Sequence, residues 1–231
     1  MIGIIGAMEV EIKNLKESMT DVQADMHAGM EFCTGKLEGR DVVLVRSGVG
    51  KVNAACCSQI LADLYKVDCI INTGIAGSLN AAIDIGDIVV SVDAVQHDMD
   101  ATVLGYRPGE IPQSGGACEF KADERLRRIL AETCREVNPD IKVYEGRIAS
   151  GDQFISDNGR KEEIARVFEA DCTEMEGAAI AQTAWVNGIP FAIIRAISDK
   201  ADNSAVVQYD VFEAQAIEHC VRLVKAAVQK L

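Results

Sequence analysis

The sequence predicts a single α/β domain over residues 1–231, in which a mixed, twisted β-sheet carries helices on both faces. Short apolar segments bounded by glycine alternate with segments of helical periodicity along the whole chain. Two alternating segments are separated by only three residues, which predicts an antiparallel hairpin and therefore a mixed sheet. No linker, repeat or low-complexity block divides the chain, and a hydrophobic fraction of 48% is sufficient for one substantial core.

The first part of the chain predicts a strand, a helix, a hairpin and a second helix. The opening MIGIIGA is apolar and bounded by glycine, as in a buried strand, and EVEIKNLKESM has apolar spacing suited to a helix. EFCTGKL and DVVLVRS alternate in polarity and flank Glu38-Gly39-Arg40, so we expect them to form the hairpin. VNAACCSQILADLY is predicted to be helical.

The rest of the chain continues the alternation. DCIINTG predicts a central strand, and GDIVVSV, VYEGRIAS and PFAIIRAIS predict further strands. KADERLRRILAETCREV predicts an amphipathic helix with capping signals, and we expect two more helices around residues 176–187 and 210–229. The longest irregular stretch, about residues 99–121, is the best candidate for a mobile or partner-facing loop.

Composition limits the classes of partner. The formal net charge is −13, from 36 acidic and 23 basic residues, and such a surface field opposes nucleic acid and anionic membrane. No apolar run reaches the roughly 18 residues that a membrane-spanning helix needs, which predicts a soluble protein. A neutral or cationic small molecule is the expected substrate.

The cysteines and histidines predict neither disulfides nor a metal site. The chain has eight cysteines, mostly within apolar segments and without a Cys-x-x-Cys pair, and no signal peptide is apparent at its start. Reduced thiols in the cytoplasm are therefore expected. The three histidines are scattered and lack ligand spacing, and we predict no metal and no cofactor.

Four carboxylates predict a small-molecule site. Glu11, Glu174, Glu176 and Asp199 fall at or just past predicted strand ends, where α/β sheets bind ligands. A single acid there is usually a solvated charge or a helix-start charge, but four at one edge favour a pocket. If TEMEG joins a strand to a helix, a two-residue step of about 200° sends one of its glutamates into the pocket and the other elsewhere.

Neither glycine-rich segment matches a nucleotide-binding motif. In SGVGKV, Val45 stands where a phosphate-binding loop requires glycine, and NTGIAGS matches no dinucleotide fingerprint.

The set of candidate side chains suits cleavage of an N-glycosidic bond. It combines carboxylates with methionines and an aromatic residue, and it includes neither a metal site nor a phosphate-binding loop. One carboxylate can orient a water, a second can bind ribose hydroxyls and a third can protonate the departing base.

Eight motifs along the chain resemble, in order, those of the 5′-methylthioadenosine/S-adenosylhomocysteine nucleosidase family. They are GIIGAMEVE, SGVGKVNAA, INTGIAGSL, GDIVVS, HDMDAT, SGDQFI, EMEGAAIA and RAISDKAD. The resemblance covers essentially the whole chain. It implies a hydrolase of the nucleoside phosphorylase fold that releases adenine from methylthioadenosine and S-adenosylhomocysteine.

The resemblance also implies roles for individual residues. By position, Glu11 is similar to the acid that activates the water, Asp199 to the group that protonates adenine N7, and Glu176 to the ribose ligand. Phe154 resembles the aromatic that stacks on adenine. The full implied set of substrate-binding residues is Met8, Val49, Ile75, Ala76, Gly77, Phe154, Ile155, Glu174, Met175, Glu176, Arg195, Ser198 and Tyr209.

The family also implies a homodimer. Its 5′ pocket is completed by the neighbouring subunit through the segment that matches residues 101–112, here with Ala101, Leu104 and Pro112. Some positions depart from the family pattern and leave the preference between a methyl and a homocysteinyl tail open. This chain has Ile75 where the family often has serine, Ser78 where it commonly has glycine, Tyr209 where phenylalanine is usual and Ala101 where valine is often found.

Three alternatives stay open at this stage. A phosphorylase of the same fold would hold phosphate at segments that here read AMEVE and NTGIAG, which are acidic or neutral. A nucleosidase for 5′-deoxyadenosine or aminofutalosine would share the adenine and ribose contacts. A non-catalytic nucleoside sensor would need neither Glu11 nor Asp199.

His97 and Asp98 lie in one of the motifs, and we expect them to form a structural hydrogen-bond pair.

Overall fold

The computed structural model describes residues 1–199 and 209–231, and of residues 209–212 only the backbone. Within these residues, ten strands and six α-helices form one α/β domain. The strands are β1 (Ile2–Gly6), β2 (Thr20–His27), β3 (Met30–Leu37), β4 (Arg40–Arg46), β5 (Cys69–Ser78), β6 (Ile88–Gln96), β7 (Phe120–Lys121), β8 (Val143–Ser150), β9 (Cys172–Glu174) and β10 (Phe191–Asp199). The helices are α1 (Glu9–Glu17), α2 (Lys51–Ile60), α3 (Glu124–Val137), α4 (Asn158–Phe168), α5 (Gly177–Asn187) and α6 (Tyr209–Lys230). A π-helical turn, Leu61–Tyr65, follows α2, and a 3₁₀ turn, Thr102–Leu104, lies between β6 and β7.

The sheet is mixed and partly closed on itself. Its strands lie in the order β10-β6-β8-β9-β5-β1-β4-β3-β2, with β7 beside β6, and β10 pairs also with β5. Strands β10, β6, β8, β9 and β5 thus form a closed ring, from which β1 to β4 extend as an open sheet. The predicted hairpin is confirmed, because β3 and β4 pair antiparallel on either side of residues 38–39. The prediction of a mixed sheet with helices on both faces is confirmed; the closure of the ring was not predicted.

Alternate residues of the central strands enter two separate cores. Ile4 and Ile194 lie in a cluster with apolar residues of α1, α3 and α6, whereas Ile5 and Ile193 lie in a cluster with residues of α2 and α5. Side chains of a strand alternate between the two faces of a sheet, so a strand with helices on both faces has to be apolar throughout. This explains the continuous apolar runs of β1 and β10.

Four elements were absent from the sequence prediction. Three of them, β2, β7 and α4, were not considered at all, and the fourth, β9, entered only as the condition that TEMEG joins a strand to a helix. Strand β2 is exposed over nearly its whole length, so its TDVQADMH sequence carries no apolar period. Helix α4 has an N-cap, because the Asp157 carboxylate accepts from the Arg160 backbone N–H, but only a few of its residues are buried.

The stretch 99–121 is irregular as predicted, apart from the 3₁₀ turn and β7. In the described part of the chain, no helix is both long and apolar enough to cross a membrane.

The topology brings several strand ends to one edge. Strand β1 pairs parallel with β4 and β5, and β10 pairs parallel with β5, so these four strands end on the same side. Strand β9 crosses the end of β5, with Thr173 opposite Gly77, and runs beside the end of β8, with Glu174 opposite Ser150. The carboxyl ends of these strands therefore surround a common space.

Candidate active site

A cavity of about 190 Å³ lies at this edge of the sheet. Its wall is built by the last residues of β5, β9 and β10 and by the segments that follow β1, β4, β8 and β9. The lining residues are Ala7, Met8, Glu11, Val49, Ile75, Ala76, Gly77, Gln153, Phe154, Ile155, Thr173, Glu174, Met175, Glu176, Ser198 and Asp199. Four of them are carboxylic acids.

Glu11 is held by three backbone N–H groups. It lies in the first turn of α1, where Oε2 accepts from Ala7 N at 2.7 Å and from Met8 N at 2.9 Å, while Oε1 accepts from Ile75 N at 3.1 Å. Burial raises the pKa of Glu11, although the positive charge of Arg195 and the backbone bonds oppose this effect. The result is a fixed carboxylate with a proton affinity above that of an exposed glutamate.

Arg195 and Glu174 form an ion pair in the wall of the cavity. Their side chains are 1% and 3% exposed, and the guanidinium also donates to Asn72 Oδ1 at 2.6 Å. Glu174 further accepts from the hydroxyl of Ser150 and from the backbone N–H of Gly177, at 2.8 Å to the nearer oxygen. Burial disfavours the charge of Glu174, but the guanidinium and these hydrogen bonds outweigh it and lower the pKa of that carboxyl. Glu174 is therefore an anion near neutral pH.

Glu176 differs from Glu174 in its ionisation. It is the N-cap residue of α5, and Oε1 accepts from Gly50 N at 2.8 Å, while Oε2 is 3.9 Å from Arg195 Nη2. Burial and the negative charge of Glu174 raise the pKa of Glu176 to about 7. Near neutral pH, this group can therefore accept or donate a hydrogen bond.

Asp199 ends β10 and is paired with a lysine. Its Oδ2 accepts from Lys161 Nζ at 2.7 Å, and its Oδ1 accepts from the hydroxyl of Ser198 at 3.3 Å. The side chains of Lys161 and Asp199 are 2% and 9% exposed. Because Lys161 comes from α4, this contact joins two elements that are far apart in the sequence.

Apolar groups line the mouth of the cavity. Phe154 is 71% exposed and Val49 is 48% exposed, while Met8, Ile155 and Met175 are half-buried. The acidic groups Glu11, Glu174, Glu176 and Asp199 are buried. The cavity thus combines an acidic interior with an apolar entrance, where a flat ring could stack.

Most of the residues singled out in the sequence meet at this cavity. Arg195 does not line it and lies behind Glu174. The side chain of Tyr209 lies outside the described residues. Ala101 is buried, Leu104 is 73% exposed and Pro112 is half-buried, and none of these three lines the cavity of the single chain.

Two expectations were wrong. Glu174 and Glu176 both line the cavity, because Glu174 ends an extended strand and Glu176 is a non-helical cap, so the helical step does not apply. His97 and Asp98 do not pair. Asp98 instead accepts from Lys51 Nζ at 2.6 Å, and both ring nitrogens of the buried His97 make no hydrogen bond among the described residues.

Sequence reasoning missed several contributors to the site. Ala7, Gln153 and Thr173 line the cavity, and Lys161 contacts Asp199 from behind. One signal for Lys161 was present in NGRKEEIARVF, where Lys161, Ile164 and Phe168 are the buried positions of α4, at spacings of three and seven residues. A lysine on an apolar stripe needs an acidic partner.

The comparisons with known proteins agree on one family. Residues 1–229 match the model of the phosphorylase superfamily. The chain is 41% identical over 231 residues to the 5′-methylthioadenosine/S-adenosylhomocysteine nucleosidase of Geobacillus sp. (strain WCH70). The match covers 100% of this chain and 98% of the relative. A solved structure of the nucleosidase of that name from Neisseria meningitidis, in complex with methylthio-immucillin-A, matches with a TM-score of 0.94 at 38% identity, over 100% of this chain and 99% of the other. The native structure of futalosine hydrolase of Helicobacter pylori strain 26695 matches with a TM-score of 0.92 at 32% identity, over 100% of this chain and 97% of the other.

Proposed function

The chain belongs to the phosphorylase superfamily, and we propose that within it the protein is a hydrolase of the N-glycosidic bond of 5′-methylthioadenosine and S-adenosylhomocysteine. The products are adenine and methylthioribose or S-ribosylhomocysteine. The observation that carries this proposal is that two buried acids, Glu11 and Asp199, line one cavity in a chain so similar to nucleosidases of that name. Each acid has its own set of hydrogen-bond donors, as two different roles in the reaction require.

In the proposed reaction, Glu11 activates the attacking water. Backbone N–H groups of Ala7, Met8 and Ile75 fix its carboxylate, so the base does not have to reorient during attack. The raised pKa of Glu11 makes it a better proton acceptor than an exposed glutamate. The water loses one proton to Glu11, and its oxygen bonds to the anomeric carbon.

The ribose binds beside Glu176 and the methionines. Glu176 accepts hydrogen bonds from ribose hydroxyls, and Met8 and Met175 contact the ribose and the thioether, to which their soft sulfurs are suited. As the sugar gains oxocarbenium character, it lies near the carboxylates of Glu11 and Glu174. Their negative charge stabilises the transition state.

The adenine binds between Phe154 and Asp199. The exposed ring of Phe154 stacks on the base, and the backbone of Ile155 contacts its edge. Asp199 donates a proton to N7 as the electron pair of the broken bond passes to the base, and Ser198 orients the carboxylate through its hydroxyl.

Hydrolysis is favoured over phosphorolysis by the way Glu11 is bound. The backbone donors of Ala7, Met8 and Ile75 could hold an anion, but each already donates to Glu11. A phosphate dianion at this wall would also meet the negative charge of Glu174. Water, which is neutral, meets no such repulsion.

The similarity to futalosine hydrolase supports a second candidate substrate class, a nucleoside with another 5′ substituent such as aminofutalosine or 5′-deoxyadenosine. The adenine and ribose contacts would be the same for all of these. Among the solved structures, the lower identity, 32% against 38% for the nucleosidase of Neisseria meningitidis, makes this the lesser candidate.

The assembly and the location complete the proposal. The segment 101–112 exposes Val103 at 93% and Leu104 at 73%, and exposed apolar side chains of this kind suit a subunit interface. In a homodimer, Ala101, Leu104 and Pro112 of one chain would complete the 5′ pocket of the other. All eight cysteines are free thiols, which suits the reducing cytoplasm.

The test is release of adenine from methylthioadenosine, followed by chromatography, in phosphate-free buffer and with added phosphate. We expect adenine and free methylthioribose without phosphate. Absolute dependence on phosphate, with a sugar 1-phosphate as product, would instead identify a phosphorylase. The same assay on S-adenosylhomocysteine, 5′-deoxyadenosine and aminofutalosine then ranks the 5′ substituents. Stoichiometric binding of nucleoside without release of base would identify a sensor.

A further inference from the structure

Lys161 is buried against Asp199, the acid that protonates the leaving base in the proposed function. Within the described residues, one lysine and one arginine have buried side chains, Lys161 and Arg195. Arg195 has Glu174 as its partner, and Lys161 has Asp199, with Nζ 2.7 Å from Oδ2. Lys161 does not line the cavity, and its contact with Asp199 connects it to a residue that does.

A buried ion pair is a poor means of stabilising a fold. Desolvation of both charges costs several kcal/mol, and the pair frequently contributes no more stability than apolar residues of the same size would. On α4 the other buried residues, Ile164 and Phe168, are apolar. An apolar residue at 161 would continue that stripe, so the lysine is better explained by an effect on Asp199 than by folding.

The carboxylate of Asp199 has little freedom to turn. A Cβ at Gly77 would lie 3.0 Å from Oδ1 and 3.1 Å from Oδ2, so the carboxylate packs closely on the backbone of β5. Lys161 holds Oδ2 at 2.7 Å, whereas Oδ1 has the longer 3.3 Å contact with Ser198. Oδ2 is therefore bound by the lysine. Oδ1 has the weaker contact, so it is the oxygen that can more easily bind a ligand instead.

We propose that Lys161 is a positioning residue for the reaction: its ammonium group orients Asp199 and stabilises the carboxylate that forms when Asp199 protonates the leaving base. The inference rests on the proposed function. The proton passes from Asp199 to N7 while the C1′–N9 bond breaks and its electron pair goes to the base. Asp199 becomes an anion next to the ammonium, which keeps its three protons throughout, and regains a proton from solvent after adenine leaves. An ammonium ion held in place before the reaction stabilises this new charge without further reorganisation.

The same helix links this contact to the stacking residue. Phe154 lies seven residues before Lys161, in the segment that joins β8 to α4, and Asp157 caps α4 between them. A base stacked on Phe154 is therefore held by the segment that leads directly into the helix carrying Lys161.

The experiment compares Lys161→Met with Arg160→Met on two substrates. Both variants remove one positive charge from the same helix, but Arg160 pairs with Glu163 at the surface, with a distance of 2.6 Å. The first substrate is methylthioadenosine, whose adenine needs protonation to leave. The second is the 4-nitrophenyl 5-methylthioriboside, whose nitrophenolate leaves without a proton. We expect Lys161→Met to lower kcat on methylthioadenosine by about 10- to 100-fold with KM nearly unchanged, and to have little effect on the nitrophenyl substrate. Lys161→Arg should restore most of the loss, and Arg160→Met should behave as wild type.

Two outcomes would overturn the inference. Unchanged turnover of methylthioadenosine in Lys161→Met, alongside an active wild type, would show that the lysine does not act on Asp199. Equal losses on both substrates with a lower melting temperature would show a purely structural role. A wild-type protein that releases no adenine would overturn the proposed function itself, so the two failures are distinguishable.

A double-mutant cycle covers the case in which Lys161→Met folds poorly. Asp199→Asn removes the negative charge that contacts Lys161, whereas Asp199→Asn with Lys161→Met removes both charges of this pair. If Lys161 acts through Asp199, the double variant turns over methylthioadenosine no more slowly than Asp199→Asn alone. Additive losses would contradict the inference.

Discussion

Glu11 and Arg195 approach each other across Gly74 so closely that no side chain fits between them. A Cβ at residue 74 would lie 2.4 Å from Glu11 Oε1 and 2.7 Å from Arg195 Nη1. Glycine therefore stands in the middle of β5 although it weakens a strand. The close approach places the positive charge of Arg195 near Glu11 and limits the rise in the pKa of that acid.

Gly74→Ala should displace both charged groups. We expect a loss of about 1 to 3 kcal/mol in the free energy of unfolding from overpacking, and a fall in kcat/KM of about 100-fold from misplacement of Glu11. Chemical denaturation and steady-state kinetics measure the two effects. Gly159→Ala is the control, because its added methyl meets only the end of the Asp157 side chain, at 3.3 Å. A Gly74→Ala protein with normal kinetics would show that Glu11 does not need this position.

Glu11→Gln should stop hydrolysis while preserving binding. The amide cannot accept a proton from water, so we expect kcat to fall by about 100- to 10,000-fold. It also turns an N–H group toward at least one of the three backbone donors, at a cost of about 1 to 3 kcal/mol in stability. Calorimetric titration with methylthioadenosine should give a Kd close to the KM of the wild type. The control is Glu9→Gln, whose side chain is 57% exposed on the same helix. Equal loss of binding and turnover would make Glu11 a binding group instead.

Phe154→Ala should weaken binding of the base without affecting the fold. The ring is 71% exposed, so its removal takes little apolar contact from the core, and the melting temperature should stay constant. Loss of a stacking platform worth about 1 to 3 kcal/mol predicts a KM that is about tenfold higher or more. Phe154→Leu keeps an apolar side chain without the ring and should recover only part of the affinity. A KM at the wild-type value in Phe154→Ala would place the base elsewhere.

The ionisation of Glu176 should appear in the pH dependence of stability. Its pKa is raised from 4.5 to about 7 by burial and by Glu174. The folded state therefore binds up to about one proton more than the unfolded chain between these values, and stability falls as pH rises through this window. In Glu176→Gln, urea unfolding over the same range should show a smaller decrease. Glu11 also has a raised pKa and leaves a residual decrease of the same sign. A slope that is identical in wild type and variant would contradict the assignment.

Leu104→Glu should dissociate the proposed homodimer. A buried charge at an apolar contact weakens association by about tenfold or more, and loss of the partner's wall should raise KM for methylthioadenosine. Sedimentation equilibrium measures the first effect and kinetics the second. Val22→Glu is the control, because Val22 is a partly exposed residue of β2, at the far edge of the sheet. A wild-type protein that sediments as a monomer would reject the dimer.

Local patterns in the sequence were sufficient to predict most of the sheet. Strands β1, β4, β5 and β10 are largely apolar because both of their faces are covered, and the parallel ends of β1 and β10 carry Glu11 and Asp199 to one edge. The order of the family motifs along the chain allowed Glu11 and Asp199 to be singled out before the structure was known. Both properties depend on residue type and spacing alone.

The partners of the buried charges could not be predicted in this way. The run TEMEG indicates that Glu174 and Glu176 stand at a strand end but not that Arg195 and Ser150 would contact Glu174, because those contacts depend on β8, β9 and β10 lying in one closed ring. Lys161 belongs to a helix that the periodicity did not reveal, and it reaches Asp199 across 38 positions of the chain. The sequence by itself determined that the apolar strands are buried and which acids stand at the strand ends, because these follow from residue type and spacing. Only the tertiary structure decided which charge faces which, because the energy of an ion pair depends on distances between segments that the local sequence does not encode.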